Sequence, residues 1–133
     1  MTLVVDASVV VATLTDRSTA GRWAAEVLNA ADRGVAAPHL LPVEVASVLR
    51  RSELAGLVSG DAASLAHSEL LELAVSLHPH APYAERAWEL RANVTAYDAW
   101  YIALAEALGA PLATLDARLT RAAGPRCEFL IPP

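Results

Sequence analysis

The chain contains no lysine and a single cysteine, Cys127. One cysteine excludes an internal disulfide and a zinc site built from several cysteines, and it fits a reducing compartment. All ten basic residues are arginine, which we interpret as the codon bias of a G+C-rich genome. Fifteen acids outnumber these arginines and give a net charge of −5. This charge excludes a broad polybasic surface for nucleic acid.

Long apolar runs are also missing. The longest, Ala7 to Leu14, is far shorter than the roughly 20 residues that a membrane-spanning helix needs. The start has no basic segment typical of a signal peptide, and Asp6 interrupts its apolar residues, so we expect a cytoplasmic protein. Hydrophobic residues nevertheless make up 55% of the chain, and the mean hydropathy is +0.37. This surplus predicts an apolar surface for a partner or a dimer.

No glycine-rich phosphate-binding loop is present, and the 133 residues form a chain of single-domain size. Short apolar stretches alternate with segments of helical periodicity, which predicts an α/β fold with a parallel sheet between two layers of helices. The predicted strands are residues 2–6, 35–37, 75–77, 112–115 and 128–131. The predicted helices are 7–14, 18–32, 42–54, 82–92 and 95–108, with two more that begin at Ser59 or Asp61 and at Ala117.

Four carboxylates lie within apolar stretches, at Asp6, Glu44, Asp98 and Asp116. A buried carboxylate must be neutralised, paired or bound to a cation. Only Asp116 has a basic residue close in sequence, Arg118. A hard divalent ion such as Mg²⁺ or Mn²⁺ accepts a ligand set made of oxygens. We therefore expect the four acids to share a divalent cation.

Three of these acids also have a purely structural interpretation. Asp6 and Asp116 each precede a predicted helix and can cap it, and the segment from Thr95 to Asp98 matches the capping pattern Ser/Thr-x-x-acid. Glu44 is predicted to lie inside its helix, with no basic residue three or four positions away. Asp6 and Asp116 are also predicted at the carboxyl ends of strands, where sites gather in parallel sheets. We therefore predict one cluster.

Four segments, taken in order, resemble the PIN domain and, within it, the VapC ribonuclease toxins of bacterial toxin–antitoxin pairs. They are Val4–Ser8, Glu44–Leu49, Tyr97–Ala105 and Thr114–Leu119. Together they extend the resemblance over essentially the whole chain, as a single PIN domain of residues 1–133. One departure is Ser47, where the family often has asparagine.

The resemblance implies a PIN-like three-layer sandwich, in which a twisted five-stranded parallel sheet carries Asp6 on its central strand. It implies a Mg²⁺- or Mn²⁺-dependent endoribonuclease that forms a homodimer and is silenced by a VapB-type antitoxin. On this basis we expect Asp6 and Asp98 to bind the ion directly. Glu44 and Asp116 would bind it directly or through water, and one of them would orient or deprotonate the attacking water.

Other polar residues have weaker assignments. Ser8 can offer a hydroxyl to a metal-bound water or merely start a helix, and Thr114 is predicted on the same strand face as Asp116. Ser47 would support the site by a hydrogen bond. Arg118 and Arg121 would contact phosphate, or equally form solvated helix surface. The histidines are predicted not to bind metal, and tryptophan and tyrosine are predicted mainly in the core, with base stacking as the alternative.

Two enzyme alternatives conflict with the sequence. A receiver-type signalling domain needs a lysine at its acidic pocket, and the chain has none. A phosphatase of the haloacid-dehalogenase type needs Asp-x-Asp after its first strand, where this chain has Asp6-Ala-Ser8. The alternative that remains is a catalytically silent PIN-like binding or scaffold module.

Overall fold

A five-stranded parallel sheet forms the centre of the protein, and its strands follow the order β3-β2-β1-β4-β5. The computed structural model describes all residues from Met1 to Pro133. The strands β1 to β5 are Leu3–Val5, Val35–Pro38, Val75–His78, Leu112–Ala113 and Phe129–Leu130. The predicted architecture, a parallel sheet of five strands flanked by helices, is confirmed.

Six α-helices surround this sheet. The helices α1 to α6 are Ala7–Thr15, Thr19–Asn29, Leu41–Leu54, Gly60–Glu72, Ala84–Glu89 and Ala96–Leu108. Helix α6 packs against β1, β2 and α5, while α1 packs against α2, α3 and α4. None of the helices combines the length and the apolar character that crossing a membrane requires.

Local sequence determines where several helices begin and end. The Ser59 hydroxyl accepts a hydrogen bond from the Ala62 amide at 3.1 Å and caps α4, so Ser59 and not Asp61 is the cap. Thr95 caps α6 by accepting from the Asp98 amide at 3.1 Å, as predicted. Helix α6 ends at Gly109, whose φ of 60° lies in the left-handed region that glycine adopts without strain.

Some predicted boundaries are wrong. Helix α2 spans Thr19–Asn29 and is shorter than the predicted 18–32, mainly because it already ends at Ala30, its C-terminal cap. The segment around Pro82 is a 3₁₀ turn, Ala81–Tyr83, and the short helix α5 follows it. The helix predicted from Ala117 is reduced to a 3₁₀ turn at Leu119–Arg121.

The core is centred on β1, whose three residues Leu3, Val4 and Val5 have no exposed surface. Burial on both faces is typical of a central parallel strand covered by helices. Trp23, Val27 and Leu28 of α2 are partly buried and pack against this core. The prediction of aromatic residues in the core is wrong for Trp88 and Tyr97, which are 67% and 62% exposed.

Candidate functional site

Asp6 lies directly after the central strand β1, at its carboxyl end, and caps α1. Its Oδ1 accepts hydrogen bonds from the Val9 amide at 3.3 Å and from the Ser8 hydroxyl at 2.5 Å. Its Oδ2 accepts from the Thr114 hydroxyl at 2.5 Å. The capping interpretation is therefore confirmed, but it uses only part of the carboxylate's capacity to accept hydrogen bonds.

Two hydroxyls connect Asp6 to the loop after β4. Ser8 Oγ accepts a hydrogen bond from the Leu115 amide at 3.0 Å, and Thr114 Oγ1 accepts one from the Asp116 amide at 3.0 Å. The Thr114 amide still donates to the Leu130 carbonyl at 3.0 Å, and the hydroxyls take over only at the Leu115 and Asp116 amides. Strand β4 itself ends two residues earlier than predicted. Ser8 and Thr114 therefore hold the segment that carries Asp116 close to Asp6.

Helices α3 and α6 bring two further acids to the same region. Asp98 lies in the first turn of α6, and Glu44 lies in the first turn of α3. Because α3 begins at Leu41, Glu44 also benefits from the partial positive charge of a helix N-terminus, an explanation that the sequence interpretation did not include. The Tyr101 hydroxyl donates a hydrogen bond to Glu44 Oε1 at 2.7 Å.

Tyr101 is the site residue that sequence reasoning missed, since it was assigned only to the core or to base stacking. A signal was present: a buried tyrosine needs a partner for its hydroxyl, and Tyr101 follows Asp98 by about one helical turn.

Asp116 lies at the rim of this cluster, with 39% of its side chain exposed. Its Oδ1 accepts from the Arg118 amide at 3.0 Å and from Arg118 Nε at 3.3 Å. The Arg118 side chain is 86% exposed, so this ion pair adds little to stability. Arg121 is also exposed, at the end of the 3₁₀ turn.

Burial and mutual repulsion shift the titration of three acids. Burial raises the pKa of Asp6, although hydrogen bonds from Ser8 and Thr114 oppose the shift, and the charge of Asp98 adds to it. Burial also raises the pKa of Glu44, with further contributions from Asp98 and Asp6. The pKa of Asp98 is raised by burial and by the charge of Asp116. Asp98 is therefore coupled electrostatically to each of the other three acids.

The chemistry of this cluster fits a hard divalent cation, because its charged donors are all carboxylate oxygens and burial disfavours their ionised forms. The geometry is not preassembled: no three His, Cys, Asp or Glu side chains form a group that could hold a metal ion as they stand. Binding would require rotation of the carboxylate side chains toward one another.

The remaining predicted residues lie at or outside the edge of this cluster. Ser47 is exposed, makes no side-chain hydrogen bond and lines an open groove together with Glu44, Arg51 and Tyr97. His78 Nδ1 lies 3.2 Å from the Tyr83 hydroxyl, and no histidine takes part in a metal-binding group.

Comparisons with known proteins show the family to which the chain belongs. The sequence profile of the PIN domain matches residues 3–125. Ribonuclease VapC1 of Mycobacterium tuberculosis (strain ATCC 25618 / H37Rv) is 48% identical over 94 residues, which cover 70% of this chain and 71% of that protein. Ribonuclease VapC9 of the same strain is 39% identical over 131 residues, 98% of each chain.

A solved structure has the same fold. It is the crystal structure of VapBC-5 from Mycobacterium tuberculosis, a member of the VapBC family of toxin-antitoxin systems. The match has a TM-score of 0.62 at 20% identity and covers 98% of each chain.

Proposed function

The chain belongs to the PIN-domain family and, within it, to the VapC ribonucleases, and on this basis we propose that it is the toxin of a type II toxin–antitoxin pair that cleaves RNA internally with Mg²⁺ or Mn²⁺. The observation that carries this proposal is the cluster of acids at the carboxyl edge of the sheet. Asp6, Glu44 and Asp98 are partly or largely buried. The charge of Asp98 raises the pKa of both Asp6 and Glu44, and the charge of Asp6 adds to the shift at Glu44.

Asp6 and Asp98 would hold the ion directly, with Glu44 and Asp116 binding directly or through water. When bound, such an ion stabilises negative charge on a phosphoryl oxygen and lowers the pKa of a bound water. Ser8 and Thr114 hold Asp6 in place through their hydroxyls.

The protein side chains would complete the reaction. Glu44 or Asp116 orients the attacking water or accepts its proton. A bound cation also offsets the acidic cluster, so that an anionic RNA backbone can approach a protein with a net charge of −5. Arg118 and Arg121 would contact phosphate. Ser47 lines the groove beside Glu44 and would support the site by donating a hydrogen bond.

We also propose a homodimer and a VapB-type antitoxin as partners. The fold shared with VapBC-5, a member of a toxin-antitoxin family, supports this proposal. Exposed apolar side chains provide surface for both contacts; among them are Val43, Leu54, Leu57, Leu65 and Leu71.

The Asp98→Asn variant tests the nuclease assignment. We expect the purified wild-type protein to cleave RNA with Mg²⁺ or Mn²⁺ and to stop when EDTA is added. Asp98→Asn should lower the cleavage rate by at least a hundredfold, because it removes a charge that holds the ion. The matched control is Asp61→Asn, an exposed acid in the first turn of α4, which should cleave at the wild-type rate.

A catalytically silent PIN-like module is the second candidate, in which the acids serve only the capping and first-turn positions that they occupy. The same assay separates the two functions. Cleavage that is equally fast in Asp98→Asn and wild type contradicts the assigned site, and a pure wild-type protein that neither binds Mn²⁺ nor cleaves RNA supports the silent module.

A further inference from the structure

A single side-chain hydrogen bond connects the carboxylate of Glu44 to the buried core. Tyr101 is 2% exposed, and its hydroxyl donates to Glu44 Oε1 at 2.7 Å across 57 residues of sequence. That distance is normal for a hydroxyl that donates to a charged carboxylate. No other side chain donates a hydrogen bond to Glu44, and no arginine forms an ion pair with it.

Helix α6 carries both Asp98 and Tyr101. They are three residues apart, so they lie on neighbouring positions of one helix face. The surroundings of Tyr101 are rigid, since the helix residues from Ala99 to Ala105 are almost all buried in the core. One helix therefore supplies a carboxylate to the cluster and also determines where the carboxylate of α3 lies.

Holding Glu44 has a thermodynamic consequence. A free glutamate side chain loses rotamer entropy when it is fixed by a ligand. The Tyr101 hydroxyl already restricts Glu44 by binding Oε1, and it leaves Oε2 without a hydrogen bond. The Glu44 side chain therefore loses less rotamer entropy when a cation binds.

We propose that Tyr101 is a positioning residue, which sets the affinity of the carboxylate cluster for a divalent cation by holding Glu44 beside Asp6 and Asp98. This inference rests on the proposed function. It differs from a purely structural role, in which the hydrogen bond only satisfies a buried phenol and affects stability alone.

The test is Mn²⁺ binding to the RNA-free protein, measured by electron paramagnetic resonance of the unbound ion. Tyr101→Phe fills nearly the same volume and removes only the hydroxyl, so the fold should be kept. We expect about tenfold weaker Mn²⁺ binding, the effect typical of losing a group that orients a metal ligand. If Tyr101→Phe binds Mn²⁺ as tightly as wild type, the proposal is wrong.

Tyr83→Phe is the matched control. Tyr83 is half-buried, and its hydroxyl lies 3.2 Å from His78 Nδ1, outside the carboxylate cluster. This variant should bind Mn²⁺ with the affinity of wild type, even if its melting temperature is lower. Equal weakening in Tyr83→Phe and Tyr101→Phe would mean that loss of any buried hydroxyl lowers affinity, which contradicts a specific role for Tyr101.

A double-mutant cycle with Glu44→Ala identifies the route of the effect. If Tyr101 acts through Glu44, then Tyr101→Phe should not weaken Mn²⁺ binding further once Glu44 is alanine. A second tenfold loss in that background would overturn the proposal. Wild-type protein that binds Mn²⁺ but does not cleave RNA would remove the proposed function and leave this inference standing, whereas wild-type protein that binds no Mn²⁺ would overturn both.

Discussion

Asp6 illustrates how the site works at the scale of single residues. It accepts three hydrogen bonds, each of which favours the ionised carboxylate, yet its pKa is raised because burial outweighs them. Two of the donors, Ser8 and Thr114, also accept hydrogen bonds from the loop after β4. These small hydroxyls therefore have a positional role that a list of acidic residues does not reveal.

Thr114→Val tests this role. The substitution keeps the shape but removes the donor to Asp6 and the acceptor of the Asp116 amide, and Thr114 has no exposed surface. We expect a loss of about 1–3 kcal/mol in the free energy of unfolding, measured with urea in EDTA, because buried polar groups lose their partners.

Thr13→Val is the control for that experiment. The Thr13 hydroxyl donates only to the Val9 carbonyl one turn earlier in α1, at 2.9 Å. This variant should stay within about 0.5 kcal/mol of wild type. If Thr114→Val and Thr13→Val lose similar amounts of unfolding free energy, the hydrogen bonds of Thr114 do not stabilise the fold more than an ordinary hydroxyl does.

At the scale of elements, the site forms where three helices begin. Asp6 caps α1, while Glu44 and Asp98 occupy the first turns of α3 and α6. Capping residues and strand ends are readable in a sequence, so the positions of Asp6 and Asp98 could be predicted, whereas the stabilisation of Glu44 by the N-terminus of α3 was missed. The length of β4 could not, because the amides of Leu115 and Asp116 bond to the hydroxyls of Ser8 and Thr114 instead of to a neighbouring strand.

The opposite end of α6 is connected to the C-terminal segment by Glu106. Its carboxylate accepts from Arg86 Nε at 2.7 Å and from the Arg126 amide at 2.7 Å. Burial alone would raise the pKa of Glu106, but these donors outweigh it and hold the pKa below its usual value. This ion pair is largely buried, with Arg86 22% and Glu106 15% exposed.

Glu106→Gln should therefore reduce stability in a pH-dependent way. A lowered carboxyl pKa stabilises the folded state above the unfolded value, about 4.3, and this contribution is lost as the pH falls through the folded pKa. We expect the free energy of unfolding, measured with urea, to be about 1–3 kcal/mol higher for wild type than for Glu106→Gln at pH 7. This difference should shrink below about pH 4.

Glu89→Gln provides the control, since Glu89 pairs with the same Arg86 at 3.3 Å but is 58% exposed. The Glu89→Gln variant should lose at most about 1 kcal/mol in the free energy of unfolding. A difference between wild type and Glu106→Gln that does not change between pH 7 and pH 3 would contradict the assigned ion pair.

For the whole molecule, the sequence was sufficient to predict the parallel sheet and less informative about how side chains pack around it. Alternating apolar and amphipathic segments predicted the parallel sheet, and the resemblance to the PIN domain implied that β1 is its central strand, which is confirmed. The contact between Tyr101 and Glu44 depends on how α6 packs relative to α3, which no local pattern encodes. Exposure of Trp88 and Tyr97 likewise depends on tertiary packing.

The proposed function requires the four acids to form one metal site, although no three of them stand ready as ligands in the structure. The most direct test is a crystal soaked in Mn²⁺ and measured at the manganese absorption edge. We predict an anomalous peak bounded by Asp6 and Asp98, with Glu44 and Asp116 around it. A Mn²⁺ peak elsewhere, with none among these four side chains, would contradict a shared metal site.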